Sequence, residues 1–268
     1  SFLELYLIPM AGAIWSMPQK DIMNYPVRSL FEFFNNHKLL HGKKDRPKWL
    51  TVSGGSINYV NKIINFLKAN PRVKLLKNNG VKKIKRENGL IKIIDNKGNT
   101  SKVDHIIFSQ NPSKVINILS DIQKKELDLL GKFKANKNTA YLHSDESIMP
   151  KTKKIWSSWN IFVPKDEKNH ISVTYWMNKL QNINNKTPLF LSLNPVRLPN
   201  EGSIFKVIDY EHPIFNNRSI TALKFLDEIQ GLNNTWYCGA WSGNGFHEDG
   251  MNSSLRLSSK LGIKALWD

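Results

Sequence analysis

The sequence is short of several things, and each shortage removes a class of function. Cys238 is the only cysteine, so there is no intrachain disulfide and no cysteine-rich metal site. A reducing, cytoplasmic setting fits that composition. The seven histidines lack metal-ligand spacing. His247-Glu248 has no second histidine four residues on, which rules out a zinc-protease helix, and no metal is expected. No apolar run reaches the roughly 18 residues needed to span a bilayer. The chain opens with no initiator Met, basic stretch or signal peptide. It starts Ser1-Phe2-Leu3-Glu4-Leu5-Tyr6-Leu7-Ile8-Pro9, which reads as the end of a helix stopped by Pro9. There is also no Gly-x-Gly-x-x-Gly, the loop that cradles a dinucleotide pyrophosphate.

Acid is in deficit. Thirty-nine Lys and Arg stand against 22 Asp and Glu, a formal net charge of +17. That invites a nucleic-acid or membrane-surface reading. The lysines are dispersed, however, as in Lys43-Lys44, Lys82-Lys83, Lys124-Lys125 and Lys151 to Lys154. No helix face gathers six of them and no nucleic-acid motif appears, so no nucleic-acid partner is expected. Abundant Asn, Lys and Ile also match the usage of AT-rich genomes. The charge is compatible with weak attraction to acyl carriers or an anionic membrane surface, which would make the protein peripheral to a membrane.

What is present is a mixed α/β pattern. With 268 residues and 40% hydrophobic content, one large domain or two smaller ones fit. Ser29 to Asn36 reads as a buried helix after Pro26. His37 to Lys48 reads as a polar loop, followed by Trp49-Leu50-Thr51-Val52 and Ser53-Gly54-Gly55-Ser56. An apolar-periodic helix then runs from Ile57 to Leu67 and ends near Pro71. Val73 to Leu76 is expected to be a short strand. Val81 to Arg86 and Leu90 to Ile94 alternate around Glu87-Asn88-Gly89, a hairpin signature. Asp95 to Gly98 is a second turn, and Val103 to Phe108 a mostly apolar strand. Asn111-Pro112-Ser113 opens a helix to about Leu119, and Gln123 to Leu130 forms another. Five strand candidates follow, at 139–143, 155–163, 171–177, 189–193 and 204–210, suggesting an antiparallel sheet. Arg218 to Ile229 is expected to be helical. The layout implies two discontinuous lobes, one of residues 49–111 and 232–268, the other of 1–48 and 112–231.

The densest signal is Trp236-Tyr237-Cys238-Gly239-Ala240-Trp241-Ser242-Gly243-Asn244-Gly245-Phe246-His247-Glu248-Asp249-Gly250. It reads as a buried strand, a loop with glycines at 239, 243, 245 and 250, and a helix running on to Leu261. A helix start presents N–H groups and a positive dipole end. Two readings stand. The loop is a cradle for an anionic or electron-rich ligand, or it is a tight strand-to-helix connection with no ligand.

Several stretches together resemble the flavin-containing amine oxidoreductases, and more narrowly their bacterial predicted NAD/FAD-binding subgroup. They are Pro9 to Ser16, Trp49 to Ser56, Leu142-His143-Ser144-Asp145, Trp156 to Asn160, Thr174 to Asn178, Leu193-Asn194-Pro195 and Gly245 to Gly250. The resemblance implies an α/β fold with a Rossmann-like FAD-binding lobe, 49–111 with 232–268. It also implies a substrate lobe of helices and an antiparallel or mixed sheet, 1–48 with 112–231. It implies FAD as cofactor, with Gly239 and Ala240 near the pyrophosphate. Gly245, Glu248, Asp249, Gly250 and Met251 would lie near the ribityl chain and ring, and the Val81 backbone would meet the adenine. Gly55 and Ser56 would lie beside the substrate cavity. The family often carries Gly-Glu where this chain has Gly239-Ala240. It also begins with a strand, Gly-x-Gly-x-x-Gly and a helix. These residues hold none of that, so the resemblance implies an N-terminal segment of about 100–200 residues outside them. Without it, tight FAD binding and activity are not expected.

Candidate chemistry beyond the flavin is thin. His143 and Asp145 fall on one face of a strand end and read as a proton-transfer pair or as a turn capped by Asp145. His247 reads as a proton shuttle or as a structural residue. Trp15, Trp156, Trp159, Tyr175 and Trp176 read as core, as a cage for a cation, or as the lining of a cavity for a long apolar, fatty-acyl substrate. The family's water-bridging lysine falls near Asn138, so the usual arrangement for amine oxidation is not supported; a true amine oxidase, and a non-catalytic fragment or basic binding module for anionic partners, stand as the alternative readings.

Overall fold

The structure, a computed structural model, describes residues 2–39, 42, 47–48, 50–164, 170–184 and 186–265. Leu40, His41 and Lys43 to Arg46 of the expected loop, and Trp49 beyond it, lie outside the described residues. Among those described, the strands in chain order are β1 (Val81–Glu87), β2 (Leu90–Asp95), β3 (Thr100–Val103), β4 (Ile106–Phe108) and β5 (Lys134–His143). They continue with β6 (Trp159–Phe162), β7 (Ser172–Trp176), β8 (Phe190–Leu193), β9 (Ile204–Ile214) and β10 (Thr235–Tyr237). The helices are α1 (Ile8–Trp15), α2 (Gln19–Ile22), α3 (Val27–Asn36), α4 (Ile57–Ala69), α5 (Pro112–Ile118), α6 (Lys124–Leu130), α7 (Met177–Leu180), α8 (Asn217–Leu223) and α9 (His247–Lys260).

The chain packs as two compact units, Ser1–Leu75 with Lys137–His212, and Leu76–Asn136 with Pro213–Asp268. This division differs from the expected lobes. Residues 50–75 go with the first unit, and 112–136 and 213–231 with the second. The reason is apolar packing. Val115, Leu119, Leu129, Leu130, Ala222 and Ile229, from the α5, α6 and α8 regions, share one core with Ile84, Phe108 and Tyr237.

In the first unit, Pro9 does not stop the opening helix. Leu3–Leu7 is a π-helical turn that runs directly into α1. Its wider i→i+5 bonding, with Ile8 N–H on Leu3 O, shifts the carbonyls that a proline ring would otherwise strike. α3 buries Phe33 and Phe34 as its periodicity requires. α4 forms where the pattern predicts, yet none of its residues is buried. The sheet has the order β6-β7-β8-β5-β9. Its β6–β7, β7–β8 and β8–β5 pairs are antiparallel. The expected strand 155–163 shrinks to β6, because Lys153–Ile155 turns as a 3-10 helix.

In the second unit, β1, β2 and β3 make the expected antiparallel meander. Glu87 pairs with Leu90 across Asn88 and Gly89, both at positive φ, the twist a two-residue hairpin needs. Val73 to Leu76 forms no strand. The expected strand 103–108 is divided at Asp104. Its first part ends the meander, and its second, β4, pairs in parallel with β10. Asn111 caps α5 by accepting the Ser113 N–H at 3.1 Å. Gln123 and Glu126 form the capping box of α6.

Candidate functional site

The glycine loop follows from β10, whose residues Thr235, Trp236 and Tyr237 pair with Ile106, Ile107 and Phe108. Cys238 extends the ladder, its N–H donating to Phe108 O at 2.9 Å. Burial pushes its thiol pKa up, so it is not a reactive thiolate. Gly239 then turns the chain at φ 131°. A Cβ there would lie 2.8 Å from the Trp241 ring and 2.9 Å from Ser109 O. The Gly239 N–H donates to Ser253 Oγ at 2.8 Å, and its carbonyl accepts from Ser242 Oγ at 2.8 Å. Ser253 Oγ donates in turn to Gly250 O at 2.7 Å, tying the loop to α9.

Two of the other glycines are also held by close neighbours. A Cβ on Gly243 would strike the Asp249 side chain, and one on Gly245 would sit 3.2 Å from the Phe215 ring. At Gly250 it would rest 3.7 Å from Ala240 N, an ordinary contact. Gly239, Gly243 and Gly245 therefore let the chain approach itself, and they do not on their own require a ligand. Asp249 accepts the Phe246 N–H at 3.0 Å and caps α9. What the loop leaves to solvent is its far edge, where Gly245, Phe246, His247, Glu248 and Met251 are exposed. They surround the start of α9, the positive end of its dipole. Val81, in the same unit, is exposed at the start of β1, beside a register shift.

In the first unit, Gly55 and Ser56 lie partly or fully exposed ahead of α4. Trp159 and Tyr175 are cross-strand partners with edge-on rings 5.2 Å apart. Burial pushes the Tyr175 hydroxyl up to about 12. Trp15 is an interior residue, packed against Tyr25 and Phe33 with ring centroids 4.5 and 4.9 Å away. Trp156 and Trp176 meet edge to face at 5.4 Å beside Phe190.

His143 is fully buried and both its ring nitrogens are engaged. Nδ1 accepts the Asp145 N–H at 3.1 Å. That leaves the hydrogen on Nε2, which donates to Ser192 Oγ at 2.8 Å. Ser192 Oγ also lies 2.7 Å from Thr174 Oγ1. Burial lowers the His143 pKa, against the opposing pull of Asp145. The Asp145 carboxylate does not touch the ring. It accepts from Ser147 N, Ser147 Oγ and Asn200 N at 2.8, 2.6 and 2.9 Å, the capped-turn arrangement.

A further cluster gave no signal in the sequence. Arg86 Nη1 and Nη2 donate to the two oxygens of Glu126 at 2.6 and 2.7 Å, and Nε donates to Asp121 at 2.8 Å. The Tyr237 hydroxyl donates to Glu126 at 2.7 Å. Burial alone would raise the Glu126 pKa, but Arg86 and the Gln123 N–H hold it below the usual value. Burial and the Glu126 charge push the Tyr237 pKa up. The cluster anchors β10 immediately before the loop. The Gln-x-x-Glu spacing marks Glu126 as a capping residue, and nothing in the sequence marks it as buried.

No family model and no curated protein matches the chain. Solved structures do. The chain aligns over 97% of its length with 63% of an Exiguobacterium sp. 255-15 protein described as a protoporphyrinogen oxidase, at TM-score 0.64 and 12% identity. It aligns over 96% with 64% of the cyclohexylamine oxidase of Brevibacterium oxydans IH-35A, at TM-score 0.59 and 10% identity. The chain has an amine-oxidase-like fold. A CLA-producing fatty acid isomerase from P. acnes shares it over 75% of this chain and 52% of that one, at TM-score 0.50 and 12% identity. At such identities the likeness is one of fold. The chain spans 52–64% of the length of these proteins. Among the described residues, no helix is long and apolar enough to cross a membrane.

Proposed function

We propose that these residues are the C-terminal portion of an FAD-dependent oxidoreductase of the bacterial NAD/FAD-binding subgroup. Its substrate would be apolar, with a fatty-acyl chain as first candidate, and it would be oxidised or desaturated in the cytoplasm. The observation that carries the reading is the β10–loop–α9 unit, set beside parallel β4, in a chain of amine-oxidase-like fold.

The residues present fit one edge of the cofactor. Their strongest asset is the α9 start, with Glu248 and Met251 exposed beside it. Its dipole suits an electron-rich ring, and Glu248 suits ribityl hydroxyls. Gly239 fits less directly, because its N–H and carbonyl are both engaged within the loop. It and Ala240 would contribute close backbone approach to the pyrophosphate. Val81 would offer its backbone to the adenine. The chemistry supplied by bound FAD is acceptance of a hydride. On the substrate side, Trp159 and Tyr175 offer an aromatic sheet face and Gly55-Ser56 an open loop. The pyrophosphate grip would come from a dinucleotide-binding segment outside these 268 residues.

The test is to purify the intact gene product and measure flavin absorbance before and after incubation with FAD. Bound flavin is expected, and Glu248→Ala should weaken it roughly tenfold, the worth of a charged hydrogen bond. A protein that stays colourless with added FAD sinks the reading.

A further inference from the structure

A cleft of about 900 Å³ lies in the second unit between α6 and α8. Lys124 and Asp128 share one face of α6, with Lys132 in the turn just beyond it, and Arg218 and Ala222 share one face of α8, with Phe225 in the turn just beyond it. Leu129 and Ala222 are buried core residues that form the floor, and Phe225 is 48% exposed above them. Lys125 and Glu228, which also line the cleft, neutralise each other at 2.9 Å. Three cations then face one acid, Asp128. An apolar floor between cationic rims suits a ligand with an apolar body and a negative head. The volume falls within the usual range of small-ligand pockets, roughly 300–1,000 Å³.

We propose that this cleft binds a single-chain fatty acid, the chain on Leu129, Ala222 and Phe225 and the carboxylate between Lys132 and Arg218. The lysines look dispersed in sequence, and folding brings Lys124 and Lys132 alongside Arg218. The proposal stands apart from the flavin reading, since it needs neither FAD nor turnover.

The test is calorimetric titration of the full chain with dodecanoate below its micelle concentration. Dodecanol, dodecyltrimethylammonium and phosphatidylglycerol vesicles serve as comparisons. Dodecanoate should bind best. Lys132→Glu with Arg218→Glu should weaken it at least about tenfold, from roughly fivefold per exposed charge removed, and Phe225→Asp should abolish binding. Lys62→Glu, outside the cleft, should change nothing. All these positions are exposed, and unchanged melting curves will confirm folding. Equal binding of dodecanol or the cationic amphiphile overturns the proposal. So does indifference to the double variant, or binding of vesicles without binding of dodecanoate.

Discussion

Arg86 and Glu126 in the second unit, and His143 and Ser192 in the first, are both buried polar clusters built from different kinds of group. The second unit uses opposite full charges, with the guanidinium spread over two carboxylates and a phenol completing the set. The first uses a neutral imidazole whose tautomer is fixed by a backbone N–H and which bonds the Ser192 hydroxyl, itself bonded to that of Thr174. Each satisfies its polar atoms, but the consequences differ. A charge pair is costly to break from one side, because the survivor stays buried. A neutral chain costs less to break but is sensitive to any proton that would charge it.

Glu126→Gln tests this contrast at its strongest point. The shape is kept while Arg86 loses the charge on its bidentate partner and retains only Asp121. The expected loss is about 3 kcal/mol, read as a lower denaturation midpoint. Amide exchange should quicken in β1, α6 and β10 and stay unchanged in β7 and β8. A loss shared equally by both units would break the contrast. Ser192→Ala is the matching test in the first unit. It removes the acceptor of the His143 Nε2–H and the partner of Thr174, for about 1–2 kcal/mol, with faster exchange confined to β5, β7 and β8. A cost above that of Glu126→Gln would reverse the ranking.

Legibility in the sequence followed the range of the forces involved. The hairpin at Asn88-Gly89 and the caps at Asn111 and Gln123 are local, and each formed where its residues stand. The run 103–108 does not show that the pairing partner changes from β2 to β10 at Asp104. Pro9 does not break its helix, because a π-helical turn alters the carbonyl geometry that the breaking rule assumes. The glycine loop is legible in the sequence, but the purpose of its glycines is not. Gly243 and Gly245 are small for Asp249 and Phe215, and the Phe215 contact is 30 residues away in sequence. The Arg86–Glu126 pair spans 40 residues, and neither residue carries any mark of burial.

The smallest expected effect separates the two clusters by pH. Unfolded histidine takes up a proton near pH 6.5, whereas buried His143 resists it, its pKa being lowered by burial. Below about pH 6.5 the unfolded state therefore binds more protons, and stability falls as pH falls. His212, in the same unit and also lowered by burial, adds to the slope with the same sign. Glu126 acts in a different window. Its pKa is held below normal, so its contribution is complete above the ordinary glutamate value, about 4.3, and is lost only in stronger acid. Protection factors, exchange corrected for its intrinsic fall with pH, should thus decrease in β5, β7 and β8 between about pH 6.5 and 5, while those in β1 and α6 hold. His143→Asn should flatten part of the first-unit slope, leaving the His212 share, and leave the acid limb of the second unit untouched. An unchanged slope in that variant would mean that the buried imidazole carries its proton in the folded state, and the contrast between a charged and a neutral cluster would fail.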